Sequence, residues 1–360
     1  MGSAMKKSSF FAVRIQEYKA MSGREKRKFW TNFFLNNSLY FMMIILVVYV
    51  TSQHRNFISA PSIVDLVRRS SSSLFMALGL GGIIVLTGTD LSAGRALGLT
   101  AVISASLLQR ADFAERMWPT MGVWPIWAVA LLVVFIGMII GFVNGFFVFK
   151  FSLHPFIVTL STQLILFGII LMYVNAGANA GRPISGLDPA YQEFVRGSVV
   201  RIFGQAIPNY VWFALIATIV MWVVWNKTVL GKNMYAVGAN PEAAKVSGVN
   251  VGLTIIAIFV IAGALNGFAG FVDAARIGSN TPNTGREFEL DAIAACVIGG
   301  VSFTGGVGKI SGILTGVFML QVIQVALQWL SVSASLQYVI TGMIILVAVS
   351  LDMQKYLTKK

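Results

Sequence analysis

The chain has little charge, little acid, two histidines and one cysteine. Only 11% of its 360 residues are charged, with 14 acids against 27 lysines and arginines. A soluble domain carries about 25% charged residues, so this chain has too little polar surface to be solvated by water. Cys296 stands alone, which excludes an intrachain disulfide and a cysteine metal cluster. Inside its apolar run it reads as a small packing residue. His54 and His154 fall in separate predicted loops on opposite sides of a membrane, neither beside an acid. Both read as ordinary loop residues. No zinc-binding helix pattern and no nucleophile elbow occurs, so no catalytic residue and no metal ligand is assigned.

Nucleotide-binding loops are missing as well, despite the glycine. A phosphate loop needs Gly, four residues, then Gly-Lys-Ser/Thr. Here Gly308-Lys309 is followed by Ile310, and Phe303 holds the place of the first glycine. Gly79, Gly81 and Gly82 fail the dinucleotide fingerprint because Ile84 holds its third glycine position. No cofactor is expected in this chain.

What the chain has is hydrophobicity. Apolar residues make up 56%, mean hydropathy is +0.77 and glycines number 35. It must be solvated by membrane lipid, with glycine allowing close helix packing. A spanning helix needs about 20 apolar residues. Such runs lie near 33–51, 74–89, 95–109, 124–149, 156–175, 209–226, 253–272, 290–300, 308–330 and 336–351. That gives an all-α integral membrane protein of about ten spans, the third and eighth short enough to be half-helices. The first run follows a polar stretch without a small-residue cleavage site, so it reads as a retained helix.

The net charge of +13 sits in short stretches between the apolar runs, not on a basic nucleic-acid-binding face. Lys6, Lys7, Arg14, Lys19, Arg24, Lys26, Arg27 and Lys28 precede the first span. With ten spans, nearly all the surplus falls on the side of the N-terminus, which places both termini in the cytoplasm. All eight tryptophans lie near predicted helix ends and read as interfacial belts. Gly137, Gly141 and Gly145 repeat every four residues on one helix, as do Gly308, Gly312 and Gly316 on another. Both stripes suit close packing, and two such helices running oppositely suggest an inverted repeat.

Polar residues within the spans are candidates for structure or pathway. Asp90 lies in Gly88-Thr89-Asp90-Leu91-Ser92-Ala93-Gly94-Arg95. A midplane aspartate costs about 2.5–3.5 kcal/mol on the insertion scale. Asp90 or Ser92 can cap the next helix and Arg95 can pair with Asp90, against a proton-relay alternative. Asp291 suits a helix start. Asn144 and Asn266 read as bonds between helices or as pathway residues.

The loop after the sixth run is the most distinctive segment. Asn240 is an N-cap, Pro241 fits the first helical position, Glu242 suits the positive helix end, Ala243, Ala244 and Lys245 continue the helix, and Gly248 ends it. A capped helix of about two turns outside the bilayer reads as a docking element for another protein, with a well-formed connector as the alternative.

Asn240-Pro-Glu-Ala-Ala-Lys-Val-Ser-Gly-Val249 resembles the coupling loop of permease subunits in bacterial ATP-binding-cassette (ABC) sugar importers. Leu86-Thr-Gly-Thr-Asp-Leu-Ser-Ala-Gly-Arg95 and the stretch from Glu289 to Gly308 resemble that family's other signatures, and the likeness covers roughly 33–357. The run through Ala294-Ala295-Cys296 leans towards galactose-type members. The resemblance implies a type II importer-like fold in the bacterial inner membrane, with a cytoplasmic segment 1–32, a permease domain 33–353 containing a coupling loop 227–252, and a tail 354–360. It implies a pathway formed with a second copy of the chain, and a periplasmic sugar-binding protein. It also implies a cytoplasmic ATPase, with tandem cassettes, that docks on 240–248 and uses the ATP. Glu242, Ala243 and Ala244 carry over as coupling residues that pass motion to the flanking helices. Other sugars, ribose among them, and a stand-alone ion-coupled transporter are the alternatives. The latter needs a midplane ionisable group, for which Asp90 is the nearest.

Overall fold

The computed structural model describes residues 22–36 and 38–357. Two compact units divide after Tyr49. The N-terminal one holds α1 (Gly23–Asn36) and most of α2 (Ser38–Gln53). Ser22 opens α1 with a reciprocal cap: its N–H donates to Glu25 Oε2 at 2.7 Å, and the Glu25 N–H donates to Ser22 Oγ at 3.3 Å. The Ser22 backbone donor holds the Glu25 carboxyl below its ordinary pKa. The boundary expected at residue 32 thus falls inside a helix. Lys6, Lys7, Arg14 and Lys19 lie outside the described residues.

The larger unit begins with a short 3-10 helix and α3 (Ala60–Val85). The sequence predicts a start near 74 because Asp65, Arg68 and Arg69 interrupt the apolar run. The structure disposes of those charges locally. Arg69 pairs with Asp65 one turn back at 2.7 Å, and Arg68 Nη2 donates to the Ala206 carbonyl at 2.5 Å. Next come α4 (Ala93–Leu107), α5 (Ile126–Lys150), α6 (Pro155–Val174) and α7 (Pro189–Arg196). A hairpin of β1 (Val200–Ile202) and β2 (Gln205–Ile207) follows, then α8 (Asn209–Lys227), α9 (Val229–Ala239) and α10 (Pro241–Val246). The chain ends with α11 (Val251–Ile277), α12 (Phe288–Ile298), α13 (Ile310–Trp329) and α14 (Ala334–Leu357). α14 runs through residue 354, where the sequence reading begins the tail. Among the described residues, α5, α6, α8, α11 and α13 are long and apolar enough to cross a membrane.

α11 is central. α5 lies antiparallel to it, Gly137 opposite Gly263, Gly141 opposite Phe259 and Gly145 opposite Ile256. A methyl group at Gly137 would fall on the Gly263 carbonyl oxygen. Lipid is as apolar as these side chains, so burial alone does not drive such helices together; close backbone packing does. α3 crosses α11 in the same antiparallel sense, with Gly79 on Ala262 and Gly82 on Ile258.

The second glycine stripe differs from its sequence reading. Gly308 precedes α13, and only Gly312 and Gly316 lie within the helix. These two meet Gly299 and Ala295 at the end of α12, whereas the α5 stripe meets α11. Equal spacing therefore serves two unlike contacts. Nor does Trp225 join an interfacial belt. It is 1% exposed, against Gly81 and Gly308, with its ring edge-on to Tyr235 at 5.9 Å.

α4 and α12 have only 15 and 11 residues, and each follows a non-helical leg, 86–92 and 278–287 respectively. At 1.5 Å per residue neither helix alone covers a hydrocarbon core of about 30 Å. The legs need hydrogen-bond partners inside the protein. The Leu91 N–H donates to Thr159 Oγ1 at 3.1 Å, the Thr281 N–H to Thr284 Oγ1 at 3.0 Å, and the Gly88 N–H to the Ile83 carbonyl at 2.9 Å. The end where α11 finishes is closed by loops paired through the Gln109–Leu187 and Ile184–Asn280 bridges.

Candidate functional site

Two regions meet the functional expectations: the loop between α8 and α11, and the place where the two broken spans touch. In the loop, Thr228 caps α9, its Oγ1 accepting from the Gly231 N–H at 3.2 Å. Asn240 caps α10, its Oδ1 accepting from the Ala243 N–H at 3.0 Å, with Pro241 in the first turn. Glu242 lies at the positive end of the α10 dipole and Lys245 in its last turn. Gly248 follows with φ +83°, where a side chain would be strained. Pro241, Glu242, Ala243, Lys245 and Val246 are exposed, Val246 by 89%, while Ala244 is buried at 4%. The sequence reading groups Ala244 with Glu242 and Ala243 as one coupling surface. In the structure Ala244 faces inward and Val246 faces solvent. A groove of about 470 Å³ runs beside α10, between Phe149 at the end of α5 and Val251 at the start of α11.

The sequence reading places 227–239 in the coupling loop and gives it no helix, yet it forms α9, which is docked. Met234, Val237 and Gly238 are buried, and Gly238 sits on the Val85 carbonyl and the Gly306 N–H. Tyr235 donates to the Gly308 carbonyl at 3.0 Å. Burial pushes the Tyr235 hydroxyl pKa up, so it stays a protonated donor. α10 is thus tied through α9 to the end of α3 and to the 299–309 turn between α12 and α13. The sequence expects force to reach only the two flanking spans. The fold adds both elements beside the broken spans.

At the broken spans, Asp90 is 4% exposed and accepts from the Ser92 N–H at 2.9 Å and from Ser92 Oγ at 2.6 Å. Asn144 Nδ2 donates to Ser92 Oγ at 2.9 Å, and Thr162 Oγ1 donates to Asn144 Oδ1 at 2.7 Å, so a chain of bonds joins the start of α4 to α5 and α6. Asp90 therefore acts on the first turn of α4, while Ser92 bridges to Asn144.

The expected Asp90–Arg95 ion pair is absent among the described residues. Arg95 is already inside α4 and turns to the other leg, its Nη1 donating to the Pro282 carbonyl at 3.0 Å and its guanidinium 4.3 Å from the Phe167 ring centre. Gly94 and Gly98 sit where Gly285 and Thr284 leave no room for a side chain. Asn266 is buried with its Oδ1 unpartnered. Asp291 Oδ2 accepts from Gln324 Nε2 at 3.1 Å, a bond between α12 and α13, in addition to its place in the first turn.

Sequence reasoning missed Glu289, Asp273, Arg276 and Gln321. Glu289 is buried beside Gly94, Oε1 accepting from Gln163 at 3.4 Å and Oε2 unpartnered. Asp273 is 2% exposed and pairs with Arg276 at 2.6 Å. Polar residues three apart within apolar runs, Asp273 with Arg276 and Gln321 with Gln324, were the available signal.

A family model described as the permease component of the branched-chain amino acid transport system matches residues 62–349. The galactose/methyl galactoside import permease of Escherichia coli (strain K12) is 45% identical over 342 residues, 94% of this chain and 100% of that protein. That of Haemophilus influenzae is 43% identical over 340 residues, with 94% and 100% covered. The ribose import permease of Bacillus subtilis (strain 168) is 35% identical over 315 residues, with 87% and 91% covered. No solved structure matches the chain. Motifs, helical architecture and near full-length identity agree: the chain belongs to this family of import permeases and is a multi-pass membrane transport subunit.

Proposed function

We propose that the chain is the permease of an ATP-driven importer for galactose or methyl galactoside. Two copies form the pathway through about ten spans each, with both termini cytoplasmic, as the charge asymmetry favours. A periplasmic binding protein delivers the sugar at the end where α11 finishes. A cytoplasmic ATPase with tandem cassettes docks on α10. The observation that carries this reading is α10 itself: a capped helix with Glu242, Lys245 and Val246 exposed, joined through α9 to Val85 and Gly306. Closure of the ATPase on ATP moves α10. α9 then carries the displacement to α3 and to the α12–α13 turn, which border both broken spans. Half-helices at a midplane site are a recurrent way to alternate access.

The ribose reading rests on relatives at 32–35% identity and is separated by substrate competition. The experiment is uptake of labelled galactose into proteoliposomes holding the permease, its ATPase and its binding protein. Glu242→Arg abolishes uptake while the permease still inserts. Uptake by the permease alone on a proton gradient overturns the proposal and restores the ion-coupled alternative. Competition by ribose instead of galactose shifts the substrate.

A further inference from the structure

Between α3, α11, α12 and α13 lies a cavity of about 270 Å³ whose lining is polar although its helices are apolar. Ser72 Oγ donates to Asp273 Oδ1 at 2.6 Å, Gln321 Nε2 to Ser73 Oγ at 3.2 Å, and Gln324 Nε2 to Asp291 Oδ2 at 3.1 Å. Both lining arginines have acid partners, Arg276 with Asp273 at 2.6 Å and Arg69 with Asp65 at 2.7 Å. Phe288 adds an aromatic side chain, 37% exposed.

We infer that this cavity is a transient station for a neutral monosaccharide, with Gln321, Gln324, Asp291 and Ser73 bonding its hydroxyls and Phe288 against its ring. The inference rests on the import reading and adds where the sugar is held. An anion finds no unpaired cation here, and Asp291 alone is a poor cation cage, since its carboxylate already accepts from Gln324. An apolar solute makes no hydrogen bond to the remaining lone pairs and N–H groups of these hydroxyls, amides and carboxylates. A sugar with several hydroxyls satisfies amides, hydroxyls and carboxylates together. The volume holds about nine waters at roughly 30 Å³ each, the scale of one hexose. Every lining amide already has a partner, so a sugar replaces existing bonds and is held weakly, as a transit station requires. The Asp291–Gln324 bond joins α12 and α13 at the end away from their connecting turn, and that turn contacts α9, so coupling motion reaches this cavity along the two helices.

The test uses the complete importer in proteoliposomes with labelled galactose. Gln321→Leu and Gln324→Leu each lower the uptake rate about tenfold, while ATP hydrolysis stimulated by the binding protein stays within about twofold of the parent. Unchanged uptake in both variants overturns the station. Where either substitution prevents assembly of the complex on size exclusion, Ser73→Ala decides: a KM rise of about threefold supports the station, and an unchanged KM overturns it. Failure of the import reading is distinct, because the parent importer itself would then show no ATP-dependent galactose uptake.

Discussion

Asn144 holds Ser92 and Thr162 at once, donating to the first at 2.9 Å and accepting from the second at 2.7 Å. One fully buried amide thereby fastens the start of the half-length helix α4 to two longer helices. Asn144→Ala takes a partner from the buried Ser92 hydroxyl and the half-buried Thr162 hydroxyl and costs about 1–3 kcal/mol. Thermal unfolding of the detergent-solubilised protein shows a lower midpoint, and Asn144→Val, similar in bulk, does not restore it. An unchanged midpoint in both variants would show that the network does not hold the fold.

The α5–α11 contact depends on having no side chain at Gly137, Gly141 and Gly263. Gly141→Leu forces the helices apart and sharply reduces the yield of folded protein. Gly168→Ala, with nothing within 4 Å of its added methyl, leaves yield and midpoint unchanged. Equal behaviour of the two variants on fluorescence-detected size exclusion would remove the close-packing account.

The faces of α10 have separable roles. Val246→Asp lowers capture of the ATPase subunit in a pull-down without shifting the thermal midpoint, because Val246 is 89% exposed. Ala244→Leu overpacks a buried position, lowers the midpoint by about 1–3 kcal/mol equivalent, and weakens capture only indirectly.

Trp225 fills the seat beneath α9. Trp225→Ala opens a cavity at a cost of about 3–5 kcal/mol and loosens α9. Limited proteolysis then cuts within 227–240 faster than in the parent. Trp127→Ala, at a position 69% exposed, leaves the cleavage rate unchanged.

The short lengths of the third and eighth apolar runs already pointed to half-helices, because composition and length are one-dimensional properties. The cap of α10 was legible for the same reason: Asn240, Pro241 and Gly248 act on their own neighbours. The partner of Arg95 was not. Five residues apart suggests a partner, but a helix starting at Ala93 turns Arg95 to a carbonyl 187 residues away.

What the sequence determined by itself is the solvent of this protein, most of its helical runs, the capped helix α10 and its family, since each follows from local composition or contiguous motifs. Only tertiary structure decided which neighbours the two glycine stripes serve, that α9 packs between α10 and the elements beside the broken spans, and that Asp273, Arg276, Gln321 and Gln324 share one cavity. Those relations join residues distant in the chain, and they are set by how closely whole helices can approach one another.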